Sequence, residues 1–144
     1  MTYPIHLKRI HDPAEEKDGT RILVDRVWPR GVRKADARLD GWAKAVAPST
    51  GLRKWFGHDP ERWEAFRRHY RDELAQVPET LSNLLDYCRQ GPVTLVFGAR
   101  DREHNQAVVL REVLLEERAV EENPKGNASS VCYGSDFPDE SDPS

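Results

Sequence analysis

Apolar positions follow two rhythms along the chain. Between Tyr3 and Ile10, Ile5 and Leu7 alternate with His6 and Lys8, the period-two pattern of a first strand with one wetted face. The polar stretch from His11 to Gly19 contains Asp-Pro and Asp-Gly steps and reads as a loop. Arg21-Ile22-Leu23-Val24-Asp25-Arg26 is a second strand, ended by Pro29 and Gly31. Pro92-Val93-Thr94-Leu95-Val96-Phe97-Gly98 is a third, and its nearly unbroken apolar character suits burial on both faces.

Between the second and third strands the spacing turns to three and four. Leu39, Trp42 and Val46 recur at helical intervals before Pro48. Ser49 can cap a short helix bearing Leu52, Trp55 and Phe56, with Gly57 where a helix end favours a left-handed residue. Asp59-Pro60 pairs an N-cap with proline at the first helical position. Behind it Trp63, Phe66, Tyr70, Leu74 and Val77 form one apolar stripe. Pro78 starts another helix carrying Leu81, Leu84, Leu85 and Cys88, stopped by Gly91. Asp101 opens the last, along which Ala107, Val108, Leu110, Val113, Leu114 and Leu115 lie.

Strands interleaved with helices predict a small three-layer, Rossmann-like α/β sandwich, with a mostly parallel sheet and helices on both faces. The loop between the first two strands is short for a parallel crossover, which predicts an antiparallel relation for that pair. The long helical connection from the second strand to the third predicts a parallel, right-handed one. After Glu117 the periodicity fades. Residues 1–119 are expected to form a single α/β domain. Residues 120–144 are expected to be an acidic, disordered tail, with too few apolar groups to offset about 1–2 kcal/mol of backbone entropy per ordered residue.

Hydrophobic residues make up 38% of the chain and charged ones 33%. No apolar run approaches the roughly 18 residues that span a bilayer, and the first residues carry no export signal. A cytoplasmic protein without membrane association is therefore expected, with Cys88 and Cys132 as reduced thiols. The net charge of −3 conceals an asymmetry: residues 26–71 hold twelve Lys/Arg against five Asp/Glu, together with all four tryptophans.

Two loops carry candidate chemistry, because ligands of open α/β sheets bind beyond the C-terminal ends of the strands. After the second strand, Arg26, Trp28 and Arg30 flank a rigid Pro29-Gly31 turn. Guanidinium forks match phosphate or carboxylate, and an indole offers a face for stacking. After the third strand, Asp101, His104 and Asn105 sit at a helix mouth, where His104 oriented by a carboxylate can move protons near neutral pH. From a third cluster Arg53 and His58 are retained, whereas Trp55 and Phe56 are assigned to the core. Phosphate loops, dinucleotide fingerprints, nucleophile elbows and zinc motifs are absent from the sequence.

In the same stretches the sequence resembles the bacterial YeaO-like family, a domain of unknown function (DUF 488). The resemblance rests on Val24-Asp25-Arg26, Trp28-Pro29-Arg30-Gly31, Ala47-Pro48-Ser49, Leu52-Arg53, Trp55-Phe56 and His58-Asp59. It continues through Trp63, Phe66, Tyr70, Glu73-Leu74, Thr94-Leu95, Asp101, His104-Asn105, Ala107 and Leu110, and spans about residues 3–116. It implies a small α/β fold and no assigned activity. Gln106 stands where His or Asn is expected in many relatives, which counts against a metal site near His104.

The resulting expectation is a cavity for an anionic, phosphate- or nucleotide-type small ligand. Arg26, Trp28, Arg30, Arg53, His58 and Asn105 would bind it, and Asp101 and His104 would handle protons. It requires the ends of the second and third strands to share one rim. Two alternatives are a nucleic-acid-binding module using the basic, Trp-rich segment 26–71, and a His/Asp metal protein. The sequence names no cofactor, reaction class or oligomeric state.

Overall fold

A computed structural model describes residues 2–122. Four strands form one sheet: β1 (Ile5–Arg9), β2 (Thr20–Leu23), β3 (Gly41–Trp42) and β4 (Val93–Phe97), in the spatial order β1-β4-β2-β3. Every pairing is parallel. The helices are α1 (Lys34–Ala37), α2 (Thr50–Phe56), α3 (Trp63–Leu74), α4 (Pro78–Gln90) and α5 (Gln106–Glu122). This is a small α/β fold, as the alternation of patterns predicts. By contact density the chain divides into two units, residues 1–113 and residues from Leu114 on. The sheet and the cavity described below lie in the first unit. Helix α5 runs through residues 120–122 of the segment expected to be a tail, and residues 123–144 lie outside the described residues.

Strand β4 is the axis of the sheet, since all five of its residues are buried. In-register partners share a face, so Leu23 and Val96 point together, and Ile22 and Leu95 point the other way. All four are 3% exposed or less, so both faces are covered. On the Leu23 and Val96 face the cover comes from residues 28–42, with Ala37 in the core and Trp28, Val32, Leu39 and Trp42 packed against it.

The expected antiparallel relation of β1 and β2 is wrong, for a reason of length. Both strands pair with β4, which lies between them, so they are parallel and are not neighbours. Ten residues, 10–19, can reach about 33 Å when extended, enough to return past a five-residue strand of about 17 Å and step over one neighbour. The crossing is fastened by charge. The Asp18 carboxylate is 1% exposed and accepts from Lys8 on β1 and from Arg21 on β2 at 2.7 Å, while the Thr94 hydroxyl of β4 donates to the Asp18 carbonyl. Arg21 also donates to the Ala37 and Arg38 carbonyls, tying down the end of α1. Breaking any arm of such a pair leaves an uncompensated buried charge.

The helical reading of Leu39, Trp42 and Val46 is also corrected. Gly41–Trp42 is the edge strand β3, paired with Ile22 and Leu23, and residues 44–46 form a 3-10 turn. Three apolar residues matched a helical interval by coincidence, across an Asp40-Gly41 step that breaks helices. Elsewhere the punctuation is as predicted. The Ser49 hydroxyl accepts from the Leu52 amide, and Gly57 adopts φ 53° at the end of α2. Pro78 begins α4, although Val77 precedes that helix rather than ending the α3 stripe. Helix α5 starts at Gln106 and not at Asp101. Its cap is Asn105, whose side chain accepts from the Val108 amide.

Gly19 is the joint where the crossing loop enters β2. It adopts φ 66°, and a Cβ there would lie 2.1 Å from the Pro92 carbonyl oxygen, which accepts the Thr20 amide. Gly19→Ala is expected to cost more than about 2 kcal/mol, combining left-handed strain with a backbone clash. Denaturant unfolding measures it, and a loss below about 0.5 kcal/mol would mean that the joint yields freely.

Candidate functional site

Because β2 and β4 are neighbours, the segments leaving their C-terminal ends face each other across a cavity of about 440 Å³. Residues 25–30 form one wall and residues 98–100 with 104–106 another, and Arg9, His11, Ala47, Pro48, Arg53, Phe56, His58 and Phe66 complete it. Of the residues singled out in the sequence, Arg26, Trp28, Arg30, Arg53, His58, His104 and Asn105 all line this space. Asp101 does not, and acts on it through His104.

The arginines divide by what they already hold. Arg26 donates to the carbonyls of Ala47 and Pro48, and Arg9 donates to that of Ala99, so both brace the walls. Arg30, Arg53 and Arg100 line the cavity and are exposed, and among the described residues their guanidinium groups make no hydrogen bond or ion pair. Five arginines thus face a single lining carboxylate, Asp25. The rim is strongly cationic although the whole chain is acidic.

Asp25 follows directly on the buried run Ile22-Leu23-Val24. One carboxylate oxygen accepts the Gly98 amide at 3.0 Å and the other accepts the Gln106 side-chain amide. Gly98 permits this approach, since a Cβ there would stand 2.7 Å from the Asp25 oxygen. Burial pushes the carboxyl up to about 6, against the opposing pull of the Gly98 amide, Gln106 and the Arg53 charge. Asp25 is not among the site residues that the sequence pattern points to. The available signal was an acid placed at the very end of an apolar strand.

His104 is held on three sides. Its Nδ1 lies 2.9 Å from the Asp101 carboxylate, its backbone amide donates to the same group, and its ring meets the Trp63 ring edge-on at 5.1 Å. The amides of Glu103 and His104 and the His104 ring hold the Asp101 carboxyl below the usual carboxylate range. With Nδ1 donating to Asp101, Nε2 is left as an acceptor, the arrangement of an oriented base. His58 adopts φ 60°, a left-handed conformation uncommon outside glycine, and follows left-handed Gly57. These two residues turn the chain so that His58 reaches the rim.

Trp28 is only partly free. Its indole N–H donates to the Val32 carbonyl, and its ring meets Trp42 edge-on at 5.5 Å. Trp63 packs on Phe56 and Phe66. Trp55 is 41% exposed, contrary to its assignment to the core, and the Arg62 guanidinium lies over its ring. Among the described residues no group of three His, Cys, Asp or Glu side chains could hold a metal ion, and no helix is long and apolar enough to cross a membrane.

Residues 4–134 match the family described as the inactive DUF488-N3 subclade. The chain belongs to this DUF488 family. The uncharacterized protein YeaO of Escherichia coli (strain K12) is 46% identical over 110 residues, which cover 76% of this chain and 96% of that protein. The uncharacterized protein Rv3073c of Mycobacterium tuberculosis (strain ATCC 25618 / H37Rv) is 38% identical over 110 residues, covering 76% and 92%. No solved structure matches the chain.

The raised Asp25 carboxyl has a consequence for stability. The folded protein binds this proton more tightly than the unfolded chain, so ionisation destabilises the fold. That cost is complete above about pH 6 and absent below the ordinary carboxylate value of 3.8. The gap amounts to roughly 3 kcal/mol. Asn can replace the carboxylate if the Gln106 amide turns over to accept. Asp25→Asn is therefore expected to stabilise the protein at pH 8 by about 1–3 kcal/mol, with the gain shrinking toward pH 4. Paired unfolding curves at the two pH values test it, and a difference that does not change with pH would refute it.

Proposed function

We propose that this protein binds an anionic, phosphate- or nucleotide-type small ligand in the cavity at the C-terminal edge of the sheet. The observation that carries the reading is the trio of unpaired guanidiniums, Arg30, Arg53 and Arg100, converging on one space. Guanidinium groups left without partners at a concave surface keep their donor forks for phosphate or carboxylate. A volume of about 440 Å³ falls in the range of organic ligands, and Trp28, Pro29, Phe56 and Phe66 supply the apolar wall that such a ligand needs.

Binding without covalent turnover is the reading supported best. No Ser, Thr, Cys, Tyr or Lys lines the cavity, so it lacks a hydroxyl, thiol or amine nucleophile. Cys88 is buried on α4, away from the lining. The description of the family as an inactive subclade accords with this. The Asp101–His104 pair then serves as a polar ligand contact, with acid–base chemistry as its further capacity. A nucleic-acid role has less support, since Trp28, Trp42 and Trp63 are engaged with other rings of the protein.

The arginines allow binding and folding to be separated. Arg30→Ala is expected to leave the ligand-free melting temperature within about 2 °C, because its guanidinium holds no part of the fold. Arg53→Ala also removes a charge that favours ionised Asp25 and should lower that temperature slightly at neutral pH. Each should weaken stabilisation by a nucleoside monophosphate about tenfold or more in apparent affinity, in line with a lost charge-assisted hydrogen bond. Arg26→Ala should instead lower the ligand-free melting temperature, since it releases the Ala47 and Pro48 carbonyls. Thermal unfolding against ligand concentration at low salt reads all three. The proposal fails if neither inorganic phosphate nor a nucleoside monophosphate stabilises the wild-type protein.

A further inference from the structure

Three free cations explain why an anion would enter the cavity, but they make the carboxylate on its wall an obstacle. Asp25 is the one acid among the lining residues, and a bare anion held by Arg53 would be repelled by it. Its placement is built rather than incidental. Gly98 lacks the Cβ that would displace it, and the Gly98 amide and Gln106 fix its two oxygens from β4's exit and the first turn of α5. A carboxylate has about four acceptor positions, and these two donors fill two of them. The rest are available to the cavity. What satisfies a fixed, partly unfilled acceptor inside a cationic pocket is a donor on the ligand itself.

Resting on the anion-binding reading, we infer that Asp25 is a specificity residue which accepts hydroxyl groups of the ligand, so that the cavity selects a hydroxylated phosphate ester over a simple phosphate. The phosphate end engages Arg30, Arg53 and Arg100, and the sugar hydroxyls turn to Asp25. A free sugar phosphate and the ribose phosphate of a nucleotide share this chemistry. The apolar wall of Trp28, Phe56 and Phe66 gives the nucleotide an additional surface for its base.

The test compares three probes on the wild-type protein by calorimetry or thermal shift: ribose 5-phosphate, adenosine 5′-monophosphate and pentyl phosphate, which keeps the phosphate and lacks every hydroxyl. The hydroxylated probes are expected to bind about tenfold or more tightly than pentyl phosphate, the scale of a hydrogen bond to a charged group. A further advantage of adenosine 5′-monophosphate over ribose 5-phosphate would assign the nucleotide. In Asp25→Asn the preference for hydroxyls should collapse to within about threefold, while pentyl phosphate binds as well as before or better. Gly98→Ala, whose Cβ displaces the same carboxylate, provides the second variant should the first not fold. Equal binding of all three probes to the wild type would overturn the role of Asp25 and leave the anion cavity standing. Absence of binding by every probe would overturn both.

Discussion

A carboxylate set at the end of a central strand is the interaction around which this molecule is arranged. Asp25 leaves β2 from a run of buried apolar residues, and the next strand in space ends in a glycine whose amide meets it. Burying a charge beside Leu23 and Val24 is unfavourable, and only part of the cost is returned by two hydrogen bonds and a nearby guanidinium. The same contact joins the two loops that wall the cavity, through Gly98 on one side and Gln106 on the other. A protein selected for stability alone would have an amide or an apolar residue there. A destabilising carboxylate in a cleft is the kind of group that a binding role would explain.

Around that carboxylate the arginines perform two kinds of work, and their hydrogen bonds tell which is which. Arg21, Arg26 and Arg9 terminate on backbone carbonyls and convert loops into fixed walls. Arg102 makes a two-pronged contact with Asp12, whose carboxyl it holds down to about 2, clasping the crossing loop to the loop after β4. Arg30, Arg53 and Arg100 end in open space at the rim. Charge counting along the sequence treats all of these alike. Their separation into bracing and free cations exists only in three dimensions, since it depends on which carbonyls the fold brings within reach.

What the sequence made legible follows from the range of each signal. Local devices, such as the Ser49 cap, the Gly57 terminus, the Pro78 start and the stripe from Trp63 to Leu74, depend on neighbours within a few residues and could be read directly. The two-residue strand Gly41–Trp42 could not, because it is strand only by pairing with Ile22 and Leu23. The same holds for strand order. Whether ten residues cross over β4 or turn back beside β1 is decided by Asp18, which appears in the sequence as an ordinary loop acid. Asp101 illustrates a third case: it does cap backbone amides, those of Glu103 and His104, but it caps a turn, and the helix begins one turn later behind Asn105. The meeting of Arg30 and His104 at one rim followed from a general property of parallel sheets, whereas Arg53 and His58 reach it from α2 and the turn after it. Asp25 is legible as a site residue only in three dimensions, where its burial and its contacts with Gly98 and Gln106 are visible.

The pairing of an oriented imidazole with a buried carboxylate in one cavity bears on how the fold is used. Asp101 orients His104, and Trp63 closes one side of the ring, so the imidazole is as well placed as in many hydrolytic sites. The cavity wall offers no hydroxyl, thiol or amine side chain, and its acid–base groups are the imidazoles of His11, His58 and His104 and the Asp25 carboxylate, which also accepts from Gly98 and Gln106. An oriented imidazole and a buried carboxylate facing unpaired guanidiniums still form a complementary surface, acceptors and donors held at fixed positions, which costs a ligand little reorganisation on entry. Preorganisation of this kind serves recognition as directly as it serves catalysis.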